Sequence, residues 1–305
     1  FVGAQGPAQI PSLCGDTPFA GPCALLCTGG SSGAFGTLGH LLAQVGLYRP
    51  FVLQALAVLV ILAALFMMMP SALRQLRSGG DLRLRMSVSR MPSSTTLLWI
   101  ALSGLAFFCA GMSALAPETQ YDALWYHLTY PQRYLQAGYL VDIPADFVSL
   151  YPMTAELWYG YGLAMGGATA AILLHLGYLP LAAVLTYEFA RRYTPGASPW
   201  LAVALLVTIP TVIWLGSTAN TDLAIMLFVT LALYSLLRHA FLAALGLGVL
   251  SLLVALPWYL RSYLATGDPV FETMYAIFGA PPERWNALAQ ATRYYLSYQA
   301  PSARP

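Results

Sequence analysis

The chain has 305 residues, of which 58% are hydrophobic and only 9% charged, with a mean hydropathy of +0.66. A water-soluble domain carries roughly 25% charged residues, so much of this surface must face lipid rather than water. The formal net charge of +2 is too small to point to nucleic acid, and the basic residues are all arginine. These properties imply an all-α, polytopic membrane protein.

Residues 1–50 are rich in Gly and Pro, show little periodicity and are expected to form an outer segment. An oxidising outer location would permit one disulfide among Cys14, Cys23 and Cys27, leaving one thiol over. The spacing of Cys23 and Cys27 does not suit zinc, and His40 is the only local histidine. Apolar runs follow at Phe51–Met69, Thr96–Ala116, Ala168–Phe189, Trp200–Leu215, Asp222–Leu237 and Ala240–Leu256. About 20 residues of helix cross the ~30 Å hydrocarbon layer, and backbone groups in lipid must be paired within their own segment, so each run reads as a helix. Cys109, inside one of them, reads as a core residue.

Arginine placement sets the expected orientation. Arg74, Arg77, Arg83, Arg85 and Arg90 stand against Asp81 alone between residues 72 and 91, which puts that loop in the cytoplasm. Residues 117–152 then lie outside, Arg191, Arg192 and Arg238 mark further inner ends, and the chain from Trp258 onward is outside. Residues 153–190 are too long for one straight helix and carry a Gly166–Gly167 break. Tyr151–Met165 is expected to enter shallowly and 168–189 to cross; two crossings also fit and would invert the later assignments. Glu118, Asp122, Asp142, Asp146, Glu156, Asp222, Asp268, Glu272 and Glu283 fall at the outer face without having been used to define it.

The stretch from Ala116 to Glu156 is too polar to span and too aromatic for a linker. Tyr121, Trp125, Tyr126, Tyr130, Tyr134 and Tyr139 suit a helix in the headgroup layer. Asp122 and Tyr126, four apart, would share a helical face. Taken alone, these acids read first as solvated groups on an interfacial helix.

Asp122-Ala-Leu-Trp-Tyr-His127-Leu-Thr-Tyr-Pro131 followed by Tyr134-Leu-Gln-Ala-Gly138 resembles the first outer loop of the GT-C membrane glycosyltransferases. The nearest likeness is to the bacterial branch similar to protein O-mannosyltransferases and the aminoarabinose lipid A transferase. Tyr151–Glu156 resembles the lead-in to that family's next helix, Ala190–Tyr193 its cytoplasmic turn, and Ser217–Asp222 its returning outer turn. Pro257–Tyr263 and Gly267–Val270 resemble a further outer stretch. The likeness covers about residues 99 to 278 in family order, and a helix pair usual between the positions of His239 and Phe241 is absent. It implies a GT-C-like domain over 96–278, preceded by an extra helix and Arg-rich loop over 51–95 and followed by an outer segment 279–305.

The resemblance also implies a function: transfer of a sugar from a polyprenyl-phosphate donor to an acceptor at the outer face of a bacterial plasma membrane. Asp122, with Glu118 beside it, would be the catalytic acid group, acting as general base on the acceptor hydroxyl. Arg261 and Arg133 would meet the donor phosphate, since a guanidinium fork binds two oxygens at once. Tyr126, His127, Glu156 and Asp222 would line the substrate site, with Glu156 paired to Arg133 or holding acceptor hydroxyls. No cofactor is required; a divalent metal would use His127 with Asp122 or Glu118 and is not favoured. Two other readings fit the sequence: a non-catalytic subunit bound to partners in a larger membrane complex, and a transporter of a lipid-linked sugar. The enzyme reading asks that Asp122 and Arg261 face one cavity.

Overall fold

The computed structural model describes residues 21–77, 93–143, 146–237, 241–271 and 273–279. Every regular element among them is helical: α1 (Gly21–Gln44), α2 (Pro50–Arg77), α3 (Ser94–Ala114), a π-helical turn (Ala123–His127), α4 (Thr129–Ala137), a 3-10 turn (Phe147–Leu150), α5 (Thr154–Leu176), α6 (Tyr178–Tyr193), α7 (Pro199–Val207), α8 (Pro210–Gly216), α9 (Asp222–Leu237), α10 (Phe241–Thr266) and α11 (Tyr275–Phe278). Three stretches are long and apolar enough to cross a membrane, Ser94–Ala114, Thr154–Tyr193 and Gly248–Thr266, and a fourth results if α7 and α8 count as one. Leu252, Leu253, Leu256 and Leu264 on α10 are exposed, as are Val58, Leu59, Ile61 and Phe66 on α2. Apolar faces of this extent belong against lipid.

The main core joins α3, α6, α7 and α9. Ala106, Ala110 and Ala114 recur every fourth residue on the buried side of α3, so its backbone approaches the neighbouring helices closely, as small residues allow in membrane bundles. Leu179, Leu185, Val203, Val207, Leu223, Leu227 and Leu231 fill the space between the other three. Cys109 lies on the opposite side of α3, exposed beside Leu105 and Phe108. The expectation that it is a core residue is therefore corrected: apolar surroundings in the sequence marked a lipid-facing surface.

The expected run Trp200–Leu215 is two short helices bent by 69°. Pro210 has no N–H to continue the ladder of α7, and Ile209 before it takes an extended backbone, as a residue preceding proline tends to. α10 does the reverse and runs on through Pro257 to Thr266, beyond the expected end at Leu256.

The Gly166–Gly167 break is a reversal. Gly167 has φ 72° and ψ −158°, a conformation open essentially to glycine alone. Beyond it the chain folds back on itself: a Cβ on Gly162 would meet the Ala171 backbone at 2.6 Å, and the rings of Tyr159 and His175 lie 6.1 Å apart. In a straight helix nine residues span about 13 Å, so the two arms run antiparallel. The backbone stays helical through Gly177, whose N–H reaches Leu173 O at 3.1 Å, so the second arm leads directly into α6. Gln54 donates to Ala164 O at 2.6 Å, pairing a carbonyl near the reversal.

Residues 21–44 also differ from expectation, forming a helix that lies along the first arm of α5. Its packing face alternates Phe35, which stacks on Trp158 at 5.3 Å, with closely fitted glycines, and the glycines hide the apolar periodicity. Gly36 fits so closely that a Cβ there would meet Thr154 O at 2.5 Å. Tyr48 then anchors the following turn, donating from its hydroxyl to Leu157 O at 2.8 Å. Cys14 and the side chains of Cys23 and Cys27 lie outside the described residues, as do Glu272, Glu283 and most of the segment 72–91.

The bundle has two chemically distinct ends. At one, the hydroxyls of Thr96 and Ser198 meet at 3.4 Å and Arg191 pairs with Glu188 at 2.6 Å. At the other, Glu118 bonds to Thr218 and Ala219, joining the loop after α3 to the turn before α9.

Candidate functional site

The acidic end is built on the π-helical turn. Leu128 N–H reaches back five residues to Ala123 O at 2.9 Å, and the Thr129 hydroxyl takes the Leu124 carbonyl. Trp125 is fastened by its indole N–H to Asp146 Oδ2 at 2.7 Å. His127 points inward, where its Nδ1–H donates to Glu156 Oε1 at 2.6 Å; the two side chains are 4% and 3% exposed. Glu156 sits in the first turn of α5, where the helix dipole favours a carboxylate. Its second oxygen, Oε2, is buried without a hydrogen-bond partner among the described residues. The expected partner, Arg133, instead stands exposed on α4, whose opposite face buries Tyr130, Tyr134 and Leu135.

Each remaining candidate has a defined place. Glu118 has no free oxygen: Oε1 accepts from the N–H groups of Thr119 and Gln120 at 3.0 and 2.9 Å, and Oε2 from the Thr218 hydroxyl and Ala219 N–H at 2.8 and 3.0 Å. Asp122, immediately before the π-helical turn, is half-buried and makes no hydrogen bond to a described residue. Asp222 is exposed at the start of α9. Tyr126 lies between these groups, its ring 4.1 Å from that of His127. Burial pushes the Tyr126 phenol up, and the nearby charges of Asp122, Glu156 and Asp222 push it further, so it stays protonated as a hydrogen-bond donor. Burial likewise raises Tyr134 to about 12, against the pull of the Arg261 guanidinium beside it.

Arg261 lies beyond Tyr134. Its Nη1 donates to Ser149 O at 2.8 Å, its Nη2 to Asp142 Oδ1 at 2.6 Å, and it stands 5.9 Å from the Trp258 ring centre. Asp122 and Arg261 thus share one end of the bundle, but no described cavity is lined by both. The Gly267–Val270 stretch is a closed turn, with Asp268 Oδ1 accepting from Val270 N–H at 2.8 Å.

A groove of about 480 Å³ opens beside the π-helical turn, between α4 and the reversal of α5. Leu124, Leu128, Leu135, Leu163 and Ala164 make it mainly apolar, with Gln132 and Gln136 at its rim. Among the described residues no three His, Cys, Asp or Glu side chains stand close enough together to hold a metal. Sequence reasoning missed this groove, the His127–Glu156 contact and the Glu118 clamp, all of which depend on which loops meet. The chain matches no family model, no curated protein and no solved structure.

Proposed function

We propose that this protein is a membrane transferase of the GT-C kind, moving a sugar from a polyprenyl-phosphate donor to an acceptor hydroxyl at the extracytoplasmic face. The observation that carries the reading is the state of Asp122. Of the described carboxylates at the acidic end, it alone is both half-buried and without a hydrogen bond to any described residue. It also stands near a phenol held protonated, and Leu124 and Leu128, on the same turn, line an apolar groove suited to an isoprenoid chain. In the reaction the acceptor oxygen forms its bond to the sugar C1 while the C1–O bond to phosphate breaks. The phosphate leaves with the electron pair, and Asp122 takes the hydroxyl proton.

The test is transfer by the purified full chain, offered polyprenyl-phosphate hexose and pentose donors. Asp122→Asn keeps the shape and removes the proton acceptor, so it should bind donor as wild type does and transfer about 10²–10⁴-fold more slowly. Wild-type rates in Asp122→Asn would end the assignment.

A second reading, a non-catalytic subunit of a membrane complex, is favoured by Arg261, whose guanidinium is already occupied. Absence of donor binding, together with co-purification of a stable membrane partner, would decide for it.

A further inference from the structure

The π-helical turn and the buried His127–Glu156 contact belong to one device. On an α-helix five residues turn through about 500°, so Asp122 and His127 would face about 140° apart. The π-helical ladder, closing from Ala123 to Leu128, stacks residues five apart and brings His127 round to the flank that carries Asp122. Such a turn is rare and costs packing, and it needs something to hold it. A buried carboxylate on a buried histidine is a poor stabiliser, because desolvation consumes most of what their contact gains and an apolar replacement is often neutral or better. Glu156 also leaves Oε2 buried and unpaired, a penalty that stability does not account for.

We propose that Glu156 is a positioning residue. By holding Nδ1 of His127 it locks the wide turn, and the locked turn fixes the rotation of Asp122 and Tyr126. It also fixes the His127 tautomer, with the proton on Nδ1 and Nε2 left as the ring's second functional nitrogen. This inference rests on the proposed role of Asp122.

The experiment uses the full chain in detergent with Glu156→Gln and Glu156→Leu. Three readings are taken: hydrogen exchange over residues 123–128, long-range proton–nitrogen NMR of His127 assigned with His127→Asn, and kcat and KM for the polyprenyl-phosphate donors. Glu156→Leu should speed exchange in the turn, abolish the downfield Nδ1 proton, and lower kcat on the order of 10²-fold with KM unchanged. Glu156→Gln still offers an acceptor oxygen and should recover part of both the exchange protection and kcat. It also keeps the test open should Glu156→Leu fail to fold.

Unchanged exchange in the folded variants overturns the lock. Faster exchange with unchanged kcat overturns its bearing on Asp122. A wild-type protein that transfers from none of the donors counts against the transferase reading instead, and exchange and NMR then decide the lock by themselves.

Discussion

Arg261 is held at the acidic end by a contact that a ligand can displace. Its partner Asp142 is 49% exposed, and pairs that reach into water contribute about 0–1 kcal/mol. A donor phosphate offers more oxygens and more charge than Asp142 does. Asp142→Asn is therefore expected to tighten donor binding several-fold, Arg261→Ala to weaken it, and Arg261→Lys to restore only part because an ammonium lacks the two-pronged fork. Equal donor affinity in all three variants, measured by titration, would remove Arg261 from the site. Glu118 should behave differently. Glu118→Gln turns an acceptor oxygen into an NH₂ facing groups that themselves donate, which costs about 1–3 kcal/mol. A lowered melting temperature with unchanged turnover per folded molecule is expected, and lost turnover in a fully folded variant would make Glu118 catalytic after all. The sequence pointed to these acids collecting at one end. It could not show who pairs with whom. Glu156 takes its hydrogen bond from a histidine 29 positions away, on a turn whose pitch no periodicity announces.

Among the elements, the helices most readily read were those with long apolar runs, and the errors fell where backbone geometry overrides hydropathy. Gly166–Gly167 was legible as a break because two adjacent glycines weaken any helix. That the arms then close on each other depends on Gly162 meeting Ala171, which only the folded chain reveals. α1 escaped notice because the glycines on its contact face, Gly36 and Gly39, break up the apolar pattern that Phe35 belongs to. Gly36→Leu forces a side chain into the Thr154 backbone, and overpacking of this kind costs about 1–3 kcal/mol or more. It should lower thermal stability more than Gly33→Leu one turn away, where a Cβ meets nothing within 4 Å. Equal losses at the two positions would show that α1 does not dock as described. Pro210 and Pro257 illustrate the same lesson from the other side: one ends a helix and the other is absorbed within one, a difference set by tertiary packing rather than by proline itself.

For the whole molecule, the separation of its two ends gives a direct test of orientation. Tyr139 and Ala197 are both exposed, one near the acidic end and one just past the arginines in the last turn of α6. In a background without the four native cysteines, a membrane-impermeant thiol reagent added outside intact cells should label Tyr139→Cys and not Ala197→Cys. The reverse pattern would turn the protein over and place the acidic end in the cytoplasm.

The folded-back arm of α5 also constrains how the chain is made. Residues 154–165 carry Glu156, and a carboxylate released alone toward the bilayer centre costs about 2.5–3.5 kcal/mol. One side of the arm is covered by Ala170, Ala171 and His175, which leave the ribosome shortly afterwards. The other side is covered by Gly36 and Tyr48, and the Tyr48–Leu157 bond joins residues 109 positions apart. During synthesis α1 must therefore wait with its glycine face unoccupied until the arm emerges. In ribosome-arrested chains, cysteines at positions 36 and 154 should cross-link only once synthesis has passed the reversal and exposed residues 168–176, which makes this docking a late step in assembly.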